Sequence, residues 1–138
     1  MENRDDLTIA FAGVDRQLCR WESALSQGSG LPALRELVME AIALLQQLLR
    51  GYMAADGRDT SLSGDADILD MFKVFVKGDP SWNAIRDNCR ELVYYRNCIN
   101  MGQSEALPAA PDRMTVRTAR HVYLYMKTRC IREGRLDD

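Results

Sequence analysis

Apolar residues recur along most of the chain at alternating spacings of four and three, and this period limits what the chain can fold into more than any other feature. Residues three and four apart share one side of a helix, so each run is an amphipathic helix with a face to bury. Helix one reads from about Asp5 to Ser26, with Leu7, Phe11, Val14, Leu18, Trp21 and Leu25 as its face. Asp5 and Asp6 stand where the dipole of a first turn favours acids, and Gln27-Gly28-Ser29-Gly30 supplies the stop. Helix two begins near Pro32, a residue suited to a first turn because its missing N–H is not needed there. Leu34, Val38, Ala41, Leu45, Leu48 and Tyr52 form its face, and Leu37, Ile42, Leu44 and Leu49 widen the stripe past a two-helix contact, so this helix is expected to be the most buried.

Residues 57–64, rich in Gly and Ser, read as the most flexible connection. Helix three starts near Asp65–Asp67 and carries Ile68, Leu69, Phe72, Phe75 and Val76. Gly78-Asp79-Pro80 either kinks it or divides it, with Asp79 or Ser81 placed to cap a new start. The continuation holds Trp82, Ile85, Cys89, Leu92, Arg96 and Ile99 in one stripe. After a proline-containing loop at 102–112, the last helix runs from about Arg113 to Arg132 on a face of Val116, Ala119, Tyr123, Met126 and Cys130. No strand pattern competes, and the expected fold is a single all-α domain over residues 1–138, an up-and-down bundle of four to five helices.

Several classes of function are set aside on the same residues. The acidic start, Met1 to Asp6, does not read as a signal peptide, and no run of about 18 apolar residues is present to span a membrane. Cys19, Cys89, Cys98 and Cys130 are scattered with no C-x-x-C, which argues against a zinc site or disulfide framework and suits reduced thiols in a cytoplasm. Cys89 and Cys98 are separated by about 13–14 Å of helical rise and cannot bridge within one helix. With His121 as the only histidine and no Glu-x-x-His, no metal site is expected, and with no phosphate-binding glycine motif no cofactor is expected. Trp21 and Trp82 read as core or interface anchors, and the seven methionines mostly as core.

Arg96 breaks the pattern, because it occupies a core position in its stripe. A guanidinium cannot be desolvated alone. Arg96 therefore reaches an acid such as Glu91 or one on another helix, sends its head to water along a packed stem, or lines a cleft. Residues 91–101, Glu-Leu-Val-Tyr-Tyr-Arg-Asn-Cys-Ile-Asn-Met, resemble the core motif of HEPN domains, small helical bundles that often act as metal-independent ribonucleases. That motif is an arginine, frequently followed by asparagine, with a histidine four to six residues on and often an acid upstream. Glu91, Arg96 and Asn97 match it, and the histidine falls at Met101. The resemblance implies a homodimer in which arginine and histidine of two protomers meet and cleave RNA through its own 2′-hydroxyl. Acid–base chemistry needs a group that titrates, and methionine does not, so this chain should be inactive by that mechanism while keeping the dimer surface and the cleft. The resemblance also suggests a regulatory, scaffold or antitoxin-like partner in a bacterial setting.

Charge is unevenly distributed behind the net value of −2. Residues 1–70 hold six Lys/Arg against twelve Asp/Glu, and residues 113–138 hold seven against three. Arg113, Arg117 and Arg120 share a helix face by spacing, with Tyr94 and Tyr95 as neighbouring aromatics, a combination able to bind phosphate and stack bases or to meet a protein partner. The same arginines can instead pair with Asp15, Glu22, Glu36 and Glu40 of the bundle itself, which the negative total favours over RNA. The leading expectation is a non-catalytic interaction bundle. The alternatives are a ribonuclease using Arg96 with Tyr95 or His121 as base, and a nucleic-acid-binding module on the basic last helix.

Overall fold

The computed structural model describes residues 2–57 and 67–137, with side chains from Asp5 onward. Helices α1 (Glu2–Gln27), α2 (Leu34–Ala55), α3 (Ile68–Gly78), α4 (Asn83–Asn100) and α5 (Pro111–Arg132) follow one another, with 3₁₀ turns at Pro80–Trp82 and Ser104–Ala106. Among the described residues there is no strand, and no helix is long and apolar enough to cross a membrane. The connection expected at 57–64 lies outside the described residues apart from Gly57, as does Asp65.

The elements begin and end where side-chain chemistry allows. The Gly28 N–H reaches the Leu25 carbonyl and the Ser29 N–H reaches that of Ala24, closing α1 with Gly28 at φ +78°. Asp67 caps α3 by accepting from the Ile68 N–H at 3.0 Å. Gly78-Asp79-Pro80 divides rather than kinks: Asp79 is extended, and its carboxylate accepts from the Ser81 N–H at 3.0 Å to start the turn that carries Trp82. Helix α5 starts two residues before the expected Arg113, because Pro111 serves at its first position behind Ala110 in the left-handed region at φ 52°.

The four long helices alternate in direction. Gly51 of α2 lies close against Leu7, whose Cδ1 would sit only 3.2 Å from an added Cβ, which sets the N-terminal part of α1 beside the C-terminal part of α2. The ring of Phe11 on α1 lies 5.6 Å from that of Tyr123 on α5, and Tyr52 near the end of α2 bonds Glu133 just past the end of α5. Helices α2 and α5 thus run parallel, each touching α1 on one side and α4 on the other, while α3 packs on α2 and α4. Leu37, Val38, Ala41, Leu45, Leu48 and Leu49 are buried, as the width of the α2 stripe requires. Cys89, Cys98 and Cys130 are buried free thiols and Cys19 is an exposed one. Met53, Met71 and Met126 are core, but Met39 and Met101 are exposed and depart from the expected packing.

Trp82 closes the core at one end. It is fully buried, with its ring centre 4.7 Å from Phe75, 5.0 Å from Tyr52 and 6.2 Å from Tyr125, so three helices meet on one side chain. Its Nε1 has no hydrogen-bond partner among the described residues. Trp82→Ala should lower the unfolding free energy by about 3–5 kcal/mol in urea titration. Trp82→Phe should cost clearly less, since it keeps an aromatic ring and removes the unsatisfied N–H.

Candidate functional site

Arg96 is half-buried, its side chain 26% exposed, and it has found an acid on another helix. Its Nη1 donates to Asp67 Oδ1 at 3.1 Å and its Nη2 to Oδ2 at 3.5 Å. The carboxylate that caps α3 therefore also anchors α4. Glu91 does not take this role. Residues five apart are about 140° apart around a helix, whereas Tyr95, four residues on, stands above Glu91 and donates its hydroxyl at 2.5 Å. Burial, reinforced by the Glu91 carboxylate, raises the Tyr95 phenol above its usual range. Tyr95 lies in the core, so of the two tyrosines expected at a binding surface it is not available to a partner.

Tyr94, Asn97 and Met101 follow one another at three-then-four spacing on the outer face of α4. Tyr94 is 51% exposed and Met101 68%, large apolar groups that face water on a side of α4 turned away from the Arg96–Asp67 pair. Met101, where the resemblance noted in the sequence expects a histidine, caps the C-terminal end of α4.

The basic last helix divides into arginines that are spent and arginines that are free. Arg120 is spent: Nη1 donates to Asp15 at 2.7 Å, while Nε and Nη2 donate to Glu22 at 2.9 and 2.7 Å. Its guanidinium holds the Asp15 carboxyl below the usual range. Arg113 and Arg117 share its face by spacing but make no ion pair among the described residues, because α1 beyond Glu22 runs Ser23-Ala24-Leu25-Ser26-Gln27 and offers no carboxylate. The expected trio is therefore not a single surface. Of the four acids available for pairing, Asp15 and Glu22 are used, while Glu36 and Glu40 lie exposed on α2.

At the C-terminal end of α5, Arg129 lies over the Trp82 ring at 4.0 Å. It donates to Glu133 at 3.0 Å, to Ser81 Oγ at 2.8 Å and to Asp79. Glu133 also accepts from Tyr52 at 2.7 Å and from Arg135 at 3.0 Å, and Arg135 reaches Asp56 and the Ala55 carbonyl. Hydrogen bonds from Ser81 and then Arg129 hold Asp79 down at about 2. Burial raises Glu133, but its three donors outweigh this and leave it below the usual range. Burial and the Glu133 carboxylate push the Tyr52 hydroxyl up to about 12. None of these residues carries a sequence motif; only Asp79, placed to cap a new start, and Trp82, read as an anchor, pointed to this end of the molecule.

His121 is exposed on the outer face of α5. It lines a groove of about 460 Å³ with Leu124, Tyr125, Thr128, Arg132 and Ser81, walled also by the paired Arg129 and Glu133, and no residue of the Glu91–Arg96–Asn97 motif borders it. Among the described residues no cluster of His, Cys, Asp and Glu could hold a metal ion.

Asp15, Asp79 and Glu133 have folded-state pKa values below their ordinary 3.8, 3.8 and 4.5. Their contribution is complete above the ordinary carboxylate range and is lost as pH falls through the folded values. Urea midpoints should therefore drop between about pH 5 and pH 2, and Arg129→Leu should flatten that dependence. No protein-family model, curated protein sequence or solved structure matches the chain.

Proposed function

We propose that this chain is a non-catalytic interaction bundle of the cytoplasm that self-associates through the outer face of α4, and that it is related to HEPN domains but lacks their histidine. The observation that carries the reading is the pairing of an exposed Tyr94–Asn97–Met101 face with an arginine already neutralised by Asp67. Two large apolar side chains one heptad apart, with asparagine between them, suit a helix-on-helix contact between copies, in which aromatic and methionine side chains are favoured. A guanidinium held by a carboxylate is a positioned strut rather than a free electrophile. The hydroxyl of Tyr95 is committed as a donor and lies in the core, which leaves it unsuited to act as a base. His121 borders a groove that the motif does not enter.

The partner of first resort is a second copy of the chain, with a further protein docking on the assembly. Sedimentation equilibrium should report about twice 15.6 kDa for the wild type. Tyr94→Glu combined with Met101→Glu should return the monomer with unchanged helical content, because both side chains face water. A wild-type monomer at micromolar concentration would overturn the self-association. Metal-free cleavage of single-stranded RNA, abolished by Arg96→Ala, would overturn the non-catalytic reading.

A further inference from the structure

The outer side of α5 presents a row of exposed residues at four-then-three spacings: Arg113, Arg117, His121, Leu124, Thr128 and Arg132. No carboxylate interrupts this row. Arg113, Arg117 and Arg132 make no ion pair among the described residues, in contrast to Arg120, Arg129 and Arg135, whose guanidinium groups all meet acids. Near its C-terminal end the row borders the groove of about 460 Å³, whose rim combines Leu124 and the Tyr125 ring with the polar groups of Ser81, Thr128 and His121. The acid at that rim, Glu133, is already shared among Arg129, Arg135 and Tyr52. Among the described residues, what remains uncompensated is positive charge in a line, with a partly apolar cleft beside it.

We infer that this row binds a single-stranded nucleic acid, with phosphates on Arg113, Arg117 and Arg132 and one base in the groove against Leu124 and Tyr125. The cleft lies within the size range of a small-molecule site and its apolar wall suits a planar ring. Successive members of the Arg113–Arg117–His121 series rise by about 6 Å, which is comparable with the phosphate spacing of an extended strand. A flat acidic protein surface would use the arginines but leave the cleft empty. The site is separate from the α4 face and does not depend on self-association.

Fluorescence anisotropy of the full chain with a short fluorescein-labelled oligouridylate tests this. Three phosphate contacts predict micromolar binding at low salt that weakens roughly twentyfold between about 50 and 200 mM. Arg117→Ala with Arg132→Ala should weaken binding and reduce that salt effect to roughly threefold. Leu124→Glu should weaken binding by at least about tenfold, as a carboxylate beside the phosphates must. Arg35→Ala on α2 and the Tyr94/Met101 pair of substitutions should leave it unchanged. Absence of binding at low salt, or a double variant that binds like wild type, would overturn the assignment. Polyglutamate competing as well as unlabelled oligouridylate would also overturn it and point to an acidic protein instead.

Discussion

Arg129 stacked on Trp82 holds one end of the molecule together. A desolvated guanidinium is costly unless its donors are all met, and here they are met by Asp79, Ser81 and Glu133, while its face rests on the indole at 4.0 Å. Asp79 belongs to the break between α3 and α4, Glu133 to the end of α5, and Tyr52, which bonds Glu133, to α2. One side chain thus ties three helices and a turn in a fixed relation. The aromatic group beneath it, Trp82 with Tyr52 and Phe75, seals the core that the broad stripe of α2 organises.

A second pair acts at the level of the site. Asp67 receives both the first N–H of α3 and the guanidinium of Arg96, so the start of one helix is fastened to the late turns of another. This removes the need for an unpartnered cleft at Arg96 and leaves Tyr94 and Met101 as the chemically unusual feature of α4. The same logic sorts the basic helix. Arg120, Arg129 and Arg135 are structural because carboxylates lie within reach, whereas Arg113, Arg117 and Arg132 make no ion pair among the described residues. The small net charge conceals this division between neutralised and free cations.

Much of the architecture was legible in the residues. The four-and-three periodicity located every long helix, and the glycine stop after α1 and the proline at the start of the 3₁₀ turn marked where chain direction changes. The core positions Leu7 to Trp21 and Leu45 to Tyr52 follow from periodicity because burial of one face is a local property of a helix. The candidate site was less legible. The partner of Arg96 lies 29 residues earlier, and Arg120 is separated from Glu22 by 98 residues. No local spacing encodes such pairs. The motif's own acid, Glu91, was drawn instead to Tyr95 one turn away.

The sequence alone determined that this chain forms helices, where each one buries itself, and that its last helix is basic, since these depend on short-range periodicity and composition. Only the tertiary structure decided which arginines are consumed and which are free. Arg113, Arg117 and Arg120 are equivalent by spacing, and what separates them is whether the neighbouring turn of α1 carries a carboxylate. Ion pairing depends on distance between helices that the chain brings together from far apart, and that distance exists only once the bundle has packed.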